Sequence, residues 1–159
     1  MRLERDGTEA VRFRSGDPAS LTVTLQANSK VEKVAVVIAV LGEGLDIIFD
    51  TSSQRLGAEP FDLEAGQRVS VTFDLTMHLA VGTFHVAAYL YRYDQERELD
   101  RAMPAATFFV EYERDVRGAV NLYPELRPAL IGSAAIGAPA PVDLAASAAN
   151  VQVTVPLQS

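Results

Sequence analysis

The chain has 159 residues, a net charge of −7 and no cysteine, with 12 Arg against only 2 Lys. An acidic balance argues against nucleic acid or an anionic membrane as partner, because both require a basic surface, and the missing thiols remove disulfides and thiolate metal sites. With 48% apolar residues, one domain with appendages can bury a proper core, and the absence of a signal-peptide core or a membrane-length apolar run predicts a cytoplasmic location.

Along the chain, Val11 and Phe13 alternate with Arg12 and Arg14, and Leu21, Val23 and Leu25 alternate with Ser20, Thr22, Thr24 and Gln26. Successive strand side chains point to opposite faces, so these segments are half-buried strands with one wet face. The turn signals Ser15-Gly16-Asp17-Pro18 and Asn28-Ser29-Lys30 bound them. Residues 34–41 are apolar on both faces, which predicts a central strand covered on both sides. Gly42-Glu43-Gly44 reads as a hairpin turn leading to a short strand at 47–49, and no Gly-Lys-Ser/Thr phosphate loop occurs. Val69, Val71, Phe73 and Leu75 then alternate with Arg68, Ser70, Thr72 and Asp74.

The segment Leu79-Ala80-Val81-Gly82-Thr83-Phe84 fits a sandwich corner, with Leu anchoring the turn, Gly allowing it and Phe84 entering the core. Strands at 84–93, 106–112 and 119–122 complete the set, with Met103-Pro104 as a turn signal. About eight short strands without a helical period predict an all-β fold, an antiparallel immunoglobulin-like β-sandwich. It is expected to span residues 1–126. In residues 127–149, Ala, Gly, Pro and Ser make up 16 of 23 positions, a linker composition too poor in large apolar groups for a core. Residues 127–159 are therefore a linker and tail, with one further alternating segment at 151–155 that would pair with a strand edge of its own chain or of another, or stay unpaired.

The strand at 84–93 carries the strongest functional signal. Phe84, Val86, Ala88 and Leu90 form an ordinary core row, whereas His85, Ala87, Tyr89, Tyr91 and Tyr93 face the other side. Three of the five Tyr in the chain lie in that second row. Rings with a polar tip on a face that should meet water point either to a binding surface or to a face covered by a partner subunit or the tail. Phe109 falls on the same face if the strand at 106–112 pairs beside it, and Thr107 and Glu111 flank it with a hydroxyl and a carboxylate. Flat rings beside hydrogen-bonding groups suit sugars.

Other groups are bland by comparison. His78 reads as a solvated loop residue, and no His spacing suits a metal. The loop 94–101 holds four carboxylates, but Arg97 and Arg101 compete for their charge, so it reads as a solvated hairpin tip rather than a calcium site. Neither a nucleophile elbow nor a nominated acid–base pair points to an enzyme, and no cofactor is expected.

Taken in order, Val11-Arg12-Phe13-Arg14-Ser15-Gly16-Asp17, Phe49-Asp50-Thr51, Leu79-Ala80-Val81-Gly82-Thr83-Phe84-His85-Val86, Phe108-Phe109-Val110 and Gly118-Ala119-Val120-Asn121-Leu122 resemble one family. It is the C-terminal domain of the ATP-binding subunit of O-antigen polysaccharide ABC transporters, the Wzt type, and the resemblance covers roughly residues 9 to 124. It implies a carbohydrate-binding domain that recognises the finished O-antigen polysaccharide, or its terminus, at the inner face of the inner membrane. The implied partners are the transporter's ATPase and membrane subunits and a second copy of the domain, with residues 118–122 exchanged between protomers. Phe84 stands where the family usually has Tyr, and Asp17 where it has Glu. No nucleotide-binding domain accompanies the sequence, so this chain alone is expected neither to bind nor to hydrolyse ATP. The expected carbohydrate contacts are His85, Tyr89, Tyr91, Tyr93, Thr107, Phe109 and Glu111. The rival reading is a structural sandwich whose aromatic row is a dimer interface.

Overall fold

The computed structural model describes residues 1–111 and 117–125. It contains ten strands in chain order: β1 Arg2–Arg5, β2 Thr8–Glu9, β3 Arg12–Arg14, β4 Pro18–Gln26, β5 Val31–Leu41, β6 Ile47–Ser52, β7 Phe61–Leu63, β8 Arg68–Thr76, β9 Gly82–Arg92 and β10 Arg97–Glu111. They make an all-β, immunoglobulin-like sandwich of two sheets. One sheet runs β2-β1-β4-β8; the other runs β3-β10-β9-β5-β6, with β7 also paired to β5. Among the described residues no helix is long and apolar enough to cross a membrane.

The alternation read from the sequence accounts for the core. Phe13, Leu21, Val23, Val36, Ile38, Val40, Phe73, Phe84, Val86, Phe108 and Val110 are buried between the sheets. Phe108 sits at the centre, edge-on to Phe13 at 5.8 Å and stacked on Phe84 at 5.6 Å, geometries that aromatic pairs favour beyond their buried area. The outer face of the four-stranded sheet is polar, as its Ser/Thr positions require. There Ser20 bonds Asp74 at 2.7 Å, Thr22 meets Thr72 at 2.9 Å and Thr24 meets Ser70 at 2.9 Å. β5 is central and buried on both faces, as expected, with Ala35, Ala39 and Leu41 covered on the side away from the core.

Several expectations are corrected. Among the described residues the strand pairs are antiparallel except one: β3 runs parallel to β10, with Phe13 opposite Val110. The N-terminal stretch switches sheets, since β1 pairs with β4 while β3 joins the other sheet. Three short strands, β1, β2 and β7, add to the expected set, being too brief for a periodic signal. Met103-Pro104 is not a turn between strands but a bulge inside the 15-residue β10, where the register with β9 shifts between Ala102 and Ala106; proline cannot donate to the ladder and is tolerated at such a bulge. Likewise β10 already begins at Arg97, so the tip of the β9–β10 hairpin is only a 3-10 turn at Tyr93–Gln95 followed by Glu96. Gly82 opens β9 rather than the turn and has no left-handed φ. Residues 118–122 contribute a single bridge, Leu79 to Val120, instead of a strand. Tyr112, the linker from 127 and the segment 151–155 lie outside the described residues.

Candidate functional site: an aromatic groove on the six-stranded sheet

Register places the aromatic row at the centre of the larger sheet. On one side of β9, His85, Ala87, Tyr89 and Tyr91 oppose Leu41, Ala39, Val37 and Ala35 of β5. On the other side, Thr107 opposes His85 and Arg101 opposes Tyr89. Ala39, Leu41 and Ala87 form a small second cluster on this outer face, and Tyr89 packs against it. The Tyr89 hydroxyl donates to Sδ of Met103 at 3.6 Å, so the β10 bulge supplies a partner for its polar tip.

Tyr93 leaves the strand and starts the 3-10 turn, contrary to the expected continuous row. Its ring nevertheless meets Tyr91 edge-on, with centroids 5.0 Å apart and planes at 63°. The turn is fastened by Arg92, whose Nε donates to Asp94 at 2.9 Å, and by Lys33, whose Nζ lies 3.7 Å from the same carboxylate. The Arg92 hydrogen bond, aided by Lys33, keeps the Asp94 carboxyl below its ordinary range despite the opposing cost of desolvation. The three tyrosines thereby line an open groove of about 430 Å³, whose remaining wall is Val37, Asp50, Arg55, Glu96 and Glu98. Arg55 bonds Asp50 at 2.7 Å, which raises the guanidinium pKa further.

The seven expected site residues do not all meet. Tyr89, Tyr91 and Tyr93 share the groove. His85 and Thr107 share the same sheet face but bond each other, Nδ1 to Oγ1, at 2.9 Å. Phe109 opposes Thr83 of β9, so it lies eight residues from Tyr91, about 27 Å along an extended strand. There Arg12 covers the Phe109 ring at 5.7 Å and pairs with Glu111 at 3.3 Å. The expected residues thus form an extended face, with a groove at one end and a self-paired cluster at the other. Sequence reading missed Val37, Asp50, Arg55, Glu96 and Glu98. Asp50 and Arg55 come from β6 and the turn after it, and a strand-alternation argument confined to β9 and β10 cannot bring them in.

A second cavity, of about 590 Å³, lies at the open side of the sandwich between β6 and β8, with Ile48, Phe49, Leu56, Leu75, Met77 and Val120 among its lining residues. Its lining is mostly apolar, with Thr51, Asp74, Thr76 and His78 as the polar side chains and no tyrosine. Beside it, residues 118–123 are tied to the start of the chain. Asn121 donates its backbone N–H to the His78 carbonyl at 3.1 Å and its side-chain amide to Ser15 Oγ at 3.0 Å. Tyr123 meets Ser15 through its hydroxyl at 3.0 Å and the His78 ring edge-on at 5.3 Å. Gly16, at φ +91, leaves the space for that hydroxyl, since a Cβ there would sit 2.8 Å from it. The Ser-Gly-Asp turn and the Asn121 segment are thus two halves of one contact.

A search of the curated proteins finds no match to this chain. Among solved structures, "Crystal structure of the C-terminal domain of wzt" matches with a TM-score of 0.69 and 14% identity over 80% of each chain, a likeness of fold. The family model described as Wzt C-terminal domain matches residues 1–122, a span that takes in both sheets, the aromatic groove and the Asn121 contact. The chain therefore belongs to the Wzt C-terminal domain family, a membership that suggests a role in an O-antigen ABC transporter.

Proposed function

We propose that this domain is a non-catalytic carbohydrate-binding module that recognises O-antigen polysaccharide in the cytoplasm, on behalf of the transporter's ATPase and membrane subunits. The observation that carries the reading is the groove of Tyr89, Tyr91 and Tyr93 on the outer face of the six-stranded sheet, walled by carboxylates and one guanidinium. Sugar C–H faces lie on the rings, and sugar hydroxyls exchange hydrogen bonds with Asp50, Glu98 and the tyrosine hydroxyls. The outer face of the other sheet, a ladder of small hydroxyls already paired with one another or with Asp74, offers no ring to stack on. Farther along the same face as the groove, His85 and Thr107 extend the surface over which a chain polymer would lie. The module acts as a homodimer in which residues 118–122 are exchanged, an arrangement that would keep the Asn121 contacts and give the mostly apolar cleft beside Val120 a second copy to lie against it.

Calorimetric titration with purified bacterial O-polysaccharides tests the reading. Saturable binding to one of them is expected, weakened roughly tenfold in Tyr91→Ala by the loss of one stacking ring, with the dimer intact. Tyr91 is the better probe because Tyr89 also packs on the small outer cluster. Monomers from Tyr91→Ala, with no glycan bound by the wild type, would instead make the aromatic row a protein interface.

A further inference from the structure

Glu96 stands out on three counts. It is a side-chain-bearing residue in the left-handed region, at φ 48 and ψ 40, where glycine avoids the steric conflict between Cβ and backbone. Its carboxylate has no cation partner among the described residues, whereas the carboxylates nearby do: Asp50 has Arg55, Asp94 has Arg92, and Glu98 lies 3.6 Å from Arg101. It also lines the groove alongside the tyrosine rings. A hairpin tip that needed only to turn would be better served by glycine or asparagine.

We propose that Glu96 determines which sugars the groove accepts: it takes hydrogen bonds from the hydroxyls of a neutral sugar and turns away sugars bearing a phosphate or carboxylate. This inference rests on the reading of the groove as a glycan site. An ionised carboxylate is acceptor-only, with two oxygens that two neighbouring hydroxyls can reach together. An anionic sugar meets the opposite situation. Among the described residues the one guanidinium in the groove wall, Arg55, is already engaged by Asp50, so the unpaired charge the sugar meets there is that of Glu96. The repulsion is partly screened at an open site and grows as salt is withdrawn.

The test compares the wild type, Glu96→Gln and Glu96→Gly on two panels: neutral bacterial O-polysaccharides, and polysaccharides bearing uronate or phosphate. The wild type is expected to bind within the neutral panel only. Glu96→Gln loses several-fold on the neutral ligand and gains about tenfold on acidic ones at low salt, a gain that fades at high salt. Glu96→Gly loses at least as much on the neutral ligand, yet its melting temperature rises by about 2–6 °C because the left-handed conformation is no longer strained. That split separates a binding role from a merely structural one. Equal affinity for both panels, or a Glu96→Gln protein indistinguishable from wild type, overturns the inference and leaves the groove reading standing if Tyr91→Ala still weakens binding. If neither panel binds, the groove reading fails and the inference falls with it.

Discussion

At the scale of single residues, Asp17 shows how one side chain fixes a turn on which other parts depend. Its carboxylate accepts the backbone N–H of Arg14 at 2.8 Å and a hydrogen bond from the Arg5 guanidinium at 3.0 Å. Partial burial works to raise its pKa, but those two hydrogen bonds and the positive charge of Arg5 and Arg14 outweigh it, and the folded value lies below the ordinary 3.8. A carboxyl depressed on folding contributes stability that is fully present above its unfolded pKa and is lost as pH falls through the folded one. Thermal unfolding followed from neutral pH downward should therefore show a loss beginning at about pH 4, and Asp17→Asn should flatten that limb of the curve. Asp17→Ala at neutral pH should cost about 0.5–1.5 kcal/mol, because the Arg14 N–H and the half-exposed Arg5 guanidinium exchange their acceptor for water. If Asp17→Asn and wild type lose stability in parallel across that acid limb, the depressed pKa is not what couples this turn to pH.

At the scale of elements, Phe108 ties β10 to both of its neighbours in the six-stranded sheet, touching β3 through Phe13 and β9 through Phe84, and it lies fully buried in the core between the sheets. Phe108→Ala should destabilise the domain by about 3–5 kcal/mol in a denaturant titration, the range for emptying a fully buried aromatic site. A loss below about 1 kcal/mol would mean the sheets repack around the gap. The strands of this core were legible because their period of two is written in the sequence: residues 20–26, 68–75 and 84–92 read correctly, and the doubly apolar 34–41 correctly as central. What escaped was information that does not repeat. β1, β2 and β7 are too short to show a period. The Met103-Pro104 bulge looks locally like a turn, because proline breaks a ladder in either setting and only the partner strand shows which. The same limit governed the site. Three tyrosines on one face of β9 and its turn were readable, whereas Asp50, Arg55 and Glu96 reach them through strand order and a hairpin tip. Phe109 and Glu111 shared the face as predicted, but register set them far from the groove, against Arg12.

At the scale of the whole molecule, the contacts of residues 118–123 do not depend on which copy supplies them. The bond from Asn121 to Ser15, the bridge from Val120 to Leu79 and the packing of Tyr123 on His78 would be identical if the segment came from a second protomer, so exchange preserves their energy. Leu122 is 84% exposed and Leu56 66% exposed, apolar area that would leave solvent only if a second copy lay against it. The absence of native cysteine allows a direct assay. Ser15→Cys combined with Asn121→Cys places a thiol on each of two residues whose side chains meet at 3.0 Å, and a bifunctional thiol cross-linker of a few ångströms bridges the pair. With exchange, the cross-link joins two chains, so a denaturing gel should show a covalent dimer matching the dimer mass found by light scattering. With the segment folded back on its own chain, the same treatment yields a cross-linked monomer, and exchange is wrong. Either cysteine alone should give no such band, which separates the designed contact from chance collision.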